Sequence, residues 1–258
     1  MSLPSYSLNK SEQEAQKLPA EDFSLSEALV PFETASNIES FLLNKATLPF
    51  SVPGCFIWSM PQGIVVPKSI SSKPSFKNAC ETMASLNWPV HVRQTGGDLT
   101  PQAPGMINIS YIFSEVWHEK TSIEAAYKKL CNPITNYLND TYNIKSYTSS
   151  VEGAFCDGKF NIVVDGLKIA GTAQKWRRFK NQNKEDCLAV LGHVALLGDV
   201  PIHQLIAASN SFYKLCDIEK KIKPENHINL SELIPPQKFN RTDLMKGLLN
   251  SFHDHTQS

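Results

Sequence analysis

The chain has 258 residues, 41% of them hydrophobic, with 25 basic and 25 acidic side chains and a formal net charge of zero. That length and apolar content suit one large soluble domain with trimmings, and the charge balance supplies no global field for nucleic acid or an anionic membrane. No stretch reaches the roughly 18 apolar residues of a membrane helix, and Met1 to Glu21 has no basic cluster followed by an apolar core, so the expectation is a cytoplasmic protein with neither a nucleic-acid nor a membrane partner.

In chain order, residues 1–22 are polar, with two prolines and no period, and read as a flexible N-terminal arm. From Ser24 to about Lys45, Ala28, Leu29, Phe32, Ile38, Phe41 and Leu42 recur at helical steps, with Pro31 splitting the run. Phe56-Ile57-Trp58 and Ile64-Val65-Val66 flank a Pro61-Gln62-Gly63 turn and read as two strands. Ser75 is placed to cap a helix whose apolar side is Phe76, Ala79, Cys80, Met83 and Leu86, ended by Pro89. Val90 to Arg93 reads as a strand, followed by a loop from Thr95 to about Gly105, then Met106 to Phe113 as an alternating strand.

Thr121 and Glu124 have capping-box spacing ahead of a stripe of Ile123, Ala126, Tyr127, Leu130, Ile134 and Leu138, the strongest helix pattern in the chain. Asn161 to Val164, Asp165-Gly166 and Leu167 to Ala170 form a hairpin signal, because Asp-Gly supplies the positive φ angles of a type I′ turn. Leu188 to Leu197 reads as a buried strand, and helices follow around Ile202 to Leu215 and Thr242 to Phe252. Interleaved helices and strands with frequent hairpins predict an α+β fold, with mixed, mostly antiparallel sheets flanked by helices. The division expected is an arm over 1–22, a catalytic domain over 23–220 and a C-terminal helical extension over 221–258.

Three segments stand apart from the scaffold. In Arg93-Gln94-Thr95-Gly96-Gly97, paired glycines let backbone N–H groups approach a ligand, and an arginine can orient an anion; paired glycines are also ordinary turns. Cys156 lies between Gly153 and Gly158. An exposed, partly ionised thiol there attacks acyl groups, whereas a cysteine taken at random is inert core filler. The six cysteines, Cys55, Cys80, Cys131, Cys156, Cys187 and Cys216, show no C-x-x-C and no zinc-type spacing, so reduced thiols and no metal site are expected. Strand alternation puts Lys168, Ala170, Thr172 and Gln174 on one face as a polar row; alone, such a lysine is a solvated surface charge.

Taken in order, Arg-x-Thr-Gly-Gly, Gly-x-x-Asn-x-Ser at Gly105, Asn108 and Ser110, then Cys156, then Gly-x-Lys-Ile-Ala-Gly-Thr-Ala-Gln at Gly166 to Gln174 resemble the superfamily of lipoate-protein ligases, octanoyltransferases and, more remotely, biotin-protein ligases. The likeness runs from about Ser24 to Asn210 and implies that superfamily's catalytic-domain fold. It implies that Lys168 contacts the acyl carbonyl, that Arg93, Thr95, Gly96, Gly97 and Asn108 border the acyl group, and that Gly171, Thr172, Gln174 and His193 complete the substrate site. A cysteine about a dozen residues before the lysine is similar to the branches that carry the acyl group as an enzyme thioester, above all the amidotransferase that takes octanoate from the glycine cleavage H protein.

The implied activity moves an octanoyl or lipoyl group from acyl carrier protein or the glycine cleavage H protein, through Cys156, to lipoyl domains of 2-oxoacid dehydrogenase complexes, with no cofactor. The chain departs from the ligases at Val92, Asp98 and Gln102, which stand in place of a second arginine, a third glycine and a histidine. Those departures weigh against adenylate. An ATP-dependent lipoate ligase and a non-catalytic binder of acyl chains or lipoyl domains are the alternatives. The apolar side chains near the glycine loop are expected to line a narrow tunnel for the acyl chain.

Overall fold

Hydrogen-bond pairing of long alternating strands sets the frame, in a computed structural model that describes residues 22–118 and 121–256. All but the last residue of the expected N-terminal arm lies outside the described residues. The first elements are β1 (Phe23–Leu29), α1 (Phe32–Lys45), β2 (Gly54–Ser59), β3 (Gly63–Pro67), α2 (Lys68–Ser71), α3 (Phe76–Ser85), β4 (Val90–Arg93) and β5 (Thr100–Gln102). There follow β6 (Met106–Val116), α4 (Ile123–Tyr142), β7 (Tyr147–Ser149), β8 (Asn161–Val164), β9 (Leu167–Lys180), β10 (Asp186–Leu197), α5 (Ile202–Leu215), α6 (Leu230–Leu233) and α7 (Arg241–His255).

Seven strands form one sheet in the order β1-β2-β6-β10-β9-β8-β7, and β4-β3-β5 form a second, smaller one. Only the β1/β2 and β3/β4 pairs are parallel, so the α+β expectation of mostly antiparallel sheets flanked by helices is met. One face of the large sheet packs on α4 and α7 through Ile109, Tyr111, Val190, Leu130, Leu248 and Phe252. The other face meets α1 through Phe56, Trp58, Leu191 and Leu43, while Ala195 and Leu197 at its end pack towards α3 and α5. A cleft opens on that second face, between the large sheet, α1 and the small sheet.

Several local expectations are corrected. The helical reading of Ser24 to Leu29 gives way to strand β1, and Pro31 stands at the N-cap of α1 instead of splitting a helix. An edge strand is half exposed and need not alternate cleanly, so its apolar residues mimicked a helical period. Ser75 makes no side-chain cap, because its backbone is already helical (φ −78°, ψ −6°) and its hydroxyl cannot reach back to the first turn. The cap of α4 is Ser122, which accepts from Ala125 N; Thr121 is engaged by His118 N, and Glu124 pairs with Lys128 at 2.9 Å. Part of the expected 95–105 loop is strand β5, in which Pro101 sits opposite Ile64 at a sheet edge, where a missing N–H is tolerated.

The Asp165-Gly166 turn has both residues at positive φ, 49° and 82°, as its sequence required. Beyond α5 the chain returns to the core: Leu230, Ile234, Leu244, Leu248 and Phe252 are fully or almost fully buried among residues of β6, β10 and α4. The Phe252 ring lies 4.9 Å from that of Tyr111. Phe252→Ala therefore opens a cavity in the main core, and urea unfolding is expected to report a loss of roughly 3 to 5 kcal/mol; a change below 1 kcal/mol would mean that α7 is not integral to the core.

Candidate active site

Lys168 is fully buried, although its position after a hairpin turn makes a solvated charge the ordinary outcome. A β-bulge explains it. Val163 pairs with Lys168 but Ile162 pairs with Ala170, so Ile169 is an extra residue. The bulge shifts the phase of β9, and the expected polar row is broken: Lys168 shares its side with Gly171, whereas Ala170, Thr172 and Gln174 turn to the other face. Thr172 Oγ1 donates to Phe160 O at 2.8 Å, and Gln174 Oε1 accepts from Trp176 Nε1 at 3.0 Å.

The Lys168 ammonium donates to the carbonyl of Phe155 and, at 3.3 Å, to that of Cys156. It also lies 4.3 Å from the centre of the Phe155 ring. An ammonium has three N–H donors, so one is left. Gly171 has no side chain, and a Cβ there would stand 3.2 Å from Nζ. Burial lowers the Lys168 pKa to about 8, against the opposing pull of Cys156 and Asp157.

His227 closes the rear of this unit. Its Nε2 accepts from Phe155 N at 3.2 Å and its Nδ1 donates to Lys223 O at 3.0 Å, a pairing that only the neutral ring can make. Burial, then the charge of Lys168, push its pKa down to about 4. The ring stacks on Phe155 with centroids 4.8 Å apart, and Ile228 N donates to Lys168 O. These contacts hold Cys156 in the left-handed region (φ 43°), a conformation costing roughly 1 to 2 kcal/mol for a side-chain-bearing residue.

The sulfur faces the glycine loop. Asp98 N donates to Cys156 Sγ at 3.4 Å, and Arg93 Nη2 lies 3.8 Å from it. Gly97, at φ 99°, permits this approach, since a Cβ there would stand 2.8 Å from Arg93 Nη2 and 3.2 Å from Sγ. Arg93 also donates to Thr100 Oγ1, Gly96 O and Asp98 O at 2.8 to 3.1 Å, so it shapes the loop as well as facing the thiol; its Nε–H is buried with no acceptor among the described residues. The Asp98 carboxylate is held by Lys220 and by Leu99 N.

Burial pushes the Cys156 thiol up, but the charges of Arg93 and Lys168 and the hydrogen bonds of Asp98 N and Arg93 outweigh it, leaving the pKa below its ordinary value. Burial raises Cys55, Cys80, Cys131 and Cys216 instead, Cys131 to about 12 and Cys216 to about 11. Among the cysteines whose pKa is displaced, Cys156 alone goes down.

The cleft encloses about 860 Å³ of empty space counting its open mouth. Of the site residues read from sequence, Arg93, Thr95, Asn108, Cys156, Gly171, Thr172 and His193 line it; Gly96, Gly97, Lys168 and Gln174 do not. The expected apolar tunnel is corrected. Phe32, Leu43, Trp58, Val65 and Leu191 line part of the cleft, but Gln102 and Asn108, joined by two reciprocal 3.0 Å amide bonds, and Glu39 and Ser110 share the lining. Gln102, Asn108, Glu39 and Ser110 each find a partner within the wall, which lets them stay buried. Glu39, Lys220 and His227 are not legible in the sequence, because each reaches the site from a segment without a motif, and Asp98 stands out there only as a departure from the ligase pattern.

The chain matches the lipoyl protein ligase A/B catalytic domain model over residues 31–253. An uncharacterised protein of Cupriavidus necator is 31% identical over 169 residues, covering 62% of this chain and 66% of that protein. An octanoyl-GcvH:protein N-octanoyltransferase of Kyrpidia tusciae is 30% identical over 148 residues, 57% of this chain and 50% of that one, so the chain spans between about half and two thirds of these curated relatives. A putative lipoate protein ligase from T. acidophilum with bound lipoic acid shares the fold at 15% identity, with a TM-score of 0.65 over 90% of this chain and 85% of that chain.

Removing the Arg93 cation withdraws a charge that favours thiolate, so Arg93→Gln is expected to raise the Cys156 pKa. The pH profile of iodoacetamide alkylation, followed by peptide mass, should move to higher pH. An unmoved profile would show that the guanidinium does not govern the sulfur.

Proposed function

Because the chain belongs to the lipoyl protein ligase A/B catalytic domain family, we propose that it is an acyltransferase that moves an octanoyl or lipoyl group from a carrier thioester, through a thioester on Cys156, to the lysine of a lipoyl domain. One observation carries this reading: a thiol drawn towards thiolate stands at the wall of an open cleft, between a guanidinium and a backbone N–H. A ligase that activates a free acid with ATP has no need of such a sulfur.

In the first half, Cys156 thiolate adds to the carbonyl carbon of the incoming thioester. The C–S bond to the carrier breaks and the carrier leaves as its own thiolate. In the second half, a lysine amine displaces Cys156. Each addition puts negative charge on the acyl oxygen. The donors closest to Cys156 Sγ are Asp98 N–H at 3.4 Å and Arg93 Nη2 at 3.8 Å, with the Lys168 charge acting behind them, and one well-aimed donor is worth roughly 3 to 4 kcal/mol in a dry site. Lys168 has a prior task, since its bonds to the Phe155 and Cys156 carbonyls fix the loop that presents the sulfur.

The acyl chain lies against Leu43, Val65 and Leu191, gaining about 0.8 kcal/mol for each buried methylene. Acyl carrier protein or the glycine cleavage H protein is the donor, and lipoyl domains of 2-oxoacid dehydrogenase complexes are the acceptors. The acyl group arrives activated, so no cofactor is required.

Intact-protein mass after incubation with octanoyl-carrier protein, without ATP, should rise by one octanoyl group in the wild type and not in Cys156→Ser. Lys168→Met should lower transfer to a lipoyl domain by at least about 100-fold. An adduct that requires free octanoate and ATP, or that persists in Cys156→Ser, overturns the proposal.

A further inference from the structure

A second group of polar residues shares the cleft with Cys156. His193 on β10 stands directly opposite Ser110 on β6 and Ala173 on β9. Its Nε2 lies 2.9 Å from Glu39 Oε1, a close but bent approach, and its Nδ1 lies 3.3 Å from Thr95 Oγ1. Ser110 donates to the same Glu39 oxygen at 2.5 Å and receives Trp58 Nε1 at 3.1 Å. All six of these residues line the cleft.

Glu39 is a nearly buried carboxylate, its side chain 12% exposed, and a buried charge is retained at a cost of several kcal/mol unless something answers it. Burial pushes its pKa up, yet His193, Ser110 and Arg93 bring it below the carboxylate range. One ring nitrogen is thus tied to a permanent negative charge. The other is turned towards Thr95, whose loop continues into Gly97 against the Cys156 sulfur. A carboxylate beside one ring nitrogen favours the tautomer with its proton there and leaves Nδ1 as an acceptor, here of the Thr95 hydroxyl, whose place an incoming nitrogen would take.

We propose that His193 is the base that takes the proton from the lysine nitrogen as it displaces Cys156, and that Glu39 is the positioning residue that holds His193 for this step. This rests on the acyl-transfer reading. A neutral acceptor amine, its ammonium proton already lost to solvent, adds its lone pair to the thioester carbon and forms the C–N bond. As the C–S bond breaks, its electron pair stays on Cys156 Sγ as thiolate. The surplus nitrogen proton goes to His193 Nδ1, leaving a neutral amide, and then leaves for solvent at the cleft mouth. The imidazolium formed in between is stabilised by Glu39. The other charged side chains of the cleft wall are Arg93 on β4 and Lys175 and Arg177 further along β9. The first half-reaction moves an acyl group between sulfurs and asks nothing of this base.

The test separates the two halves in the full-length protein. Octanoyl-carrier protein loads Cys156, and discharge of the acyl-enzyme is then timed by mass with a lipoyl domain or with hydroxylamine. His193→Gln, which keeps a donor towards Glu39, and His193→Ala should still load. They should discharge to the lipoyl domain about 100-fold or more slowly. Discharge to hydroxylamine, whose weakly basic nitrogen yields an adduct that sheds its proton to water, should match the wild type. Glu39→Gln should show the same contrast to a smaller extent. Undiminished discharge to the lipoyl domain, or a parallel loss with both nucleophiles, overturns the assignment of the base; a wild type that never loads Cys156 overturns the acyl-transfer reading and the base with it.

Discussion

A single buried cation organises the nucleophile. Lys168 has no exposure to water, and burying an ammonium is unfavourable unless its donors are answered. Two backbone carbonyls answer two of them and an aromatic face lies beside the ammonium, and all three groups belong to the segment Phe155-Cys156. The solvation need of the lysine is therefore met only when the cysteine loop adopts its strained turn. The same charge that is satisfied by the loop acts on the sulfur that the loop carries.

Around this pair the fold divides its labour between rigid and shaped parts. The long strands β6, β9 and β10 fix Asn108, Gly171 and His193 through continuous pairing. The glycine loop has no such ladder and takes its shape from the side chain of Arg93, which gathers two carbonyls and a hydroxyl of residues 96–100. A guanidinium presents several donors in a rigid plane, which suits it to this work better than a lysine. The departure at Asp98, where a third glycine would stand in the ligases, has a structural counterpart: its carboxylate is pinned by Lys220 while its N–H reaches the sulfur.

Much of this was legible from residues alone where the signal was local. The stripe of α4, the alternation of β6, the continuous apolar run of β10 and the Asp-Gly turn each encode their element within a short stretch. The bulge at Ile169 left no trace, because one extra residue disturbs a period of two only after the partner strand is known. β1 was misread because a half-exposed edge strand lacks the clean alternation of a central one. Cys156 and Lys168 were found through a motif spanning their whole segment. Glu39 and His227 were not, since their meaning lies in contacts across 154 and 59 positions, the differences 193 − 39 and 227 − 168, that no local pattern records.

The contact between His227 and the Lys168 strand carries a consequence for biosynthesis. The rear wall of the cysteine loop is made of residues 223–228, which leave the ribosome some seventy positions after the sulfur itself, 227 − 156 = 71 for His227. Domains assemble as their chain emerges, so a nascent polypeptide that already displays Cys156 still lacks the wall that sets its turn. The thiol acquires its directed reactivity late, when nearly all of the described chain has been made, and a growing chain is spared an activated sulfur before it has a cleft to guard it.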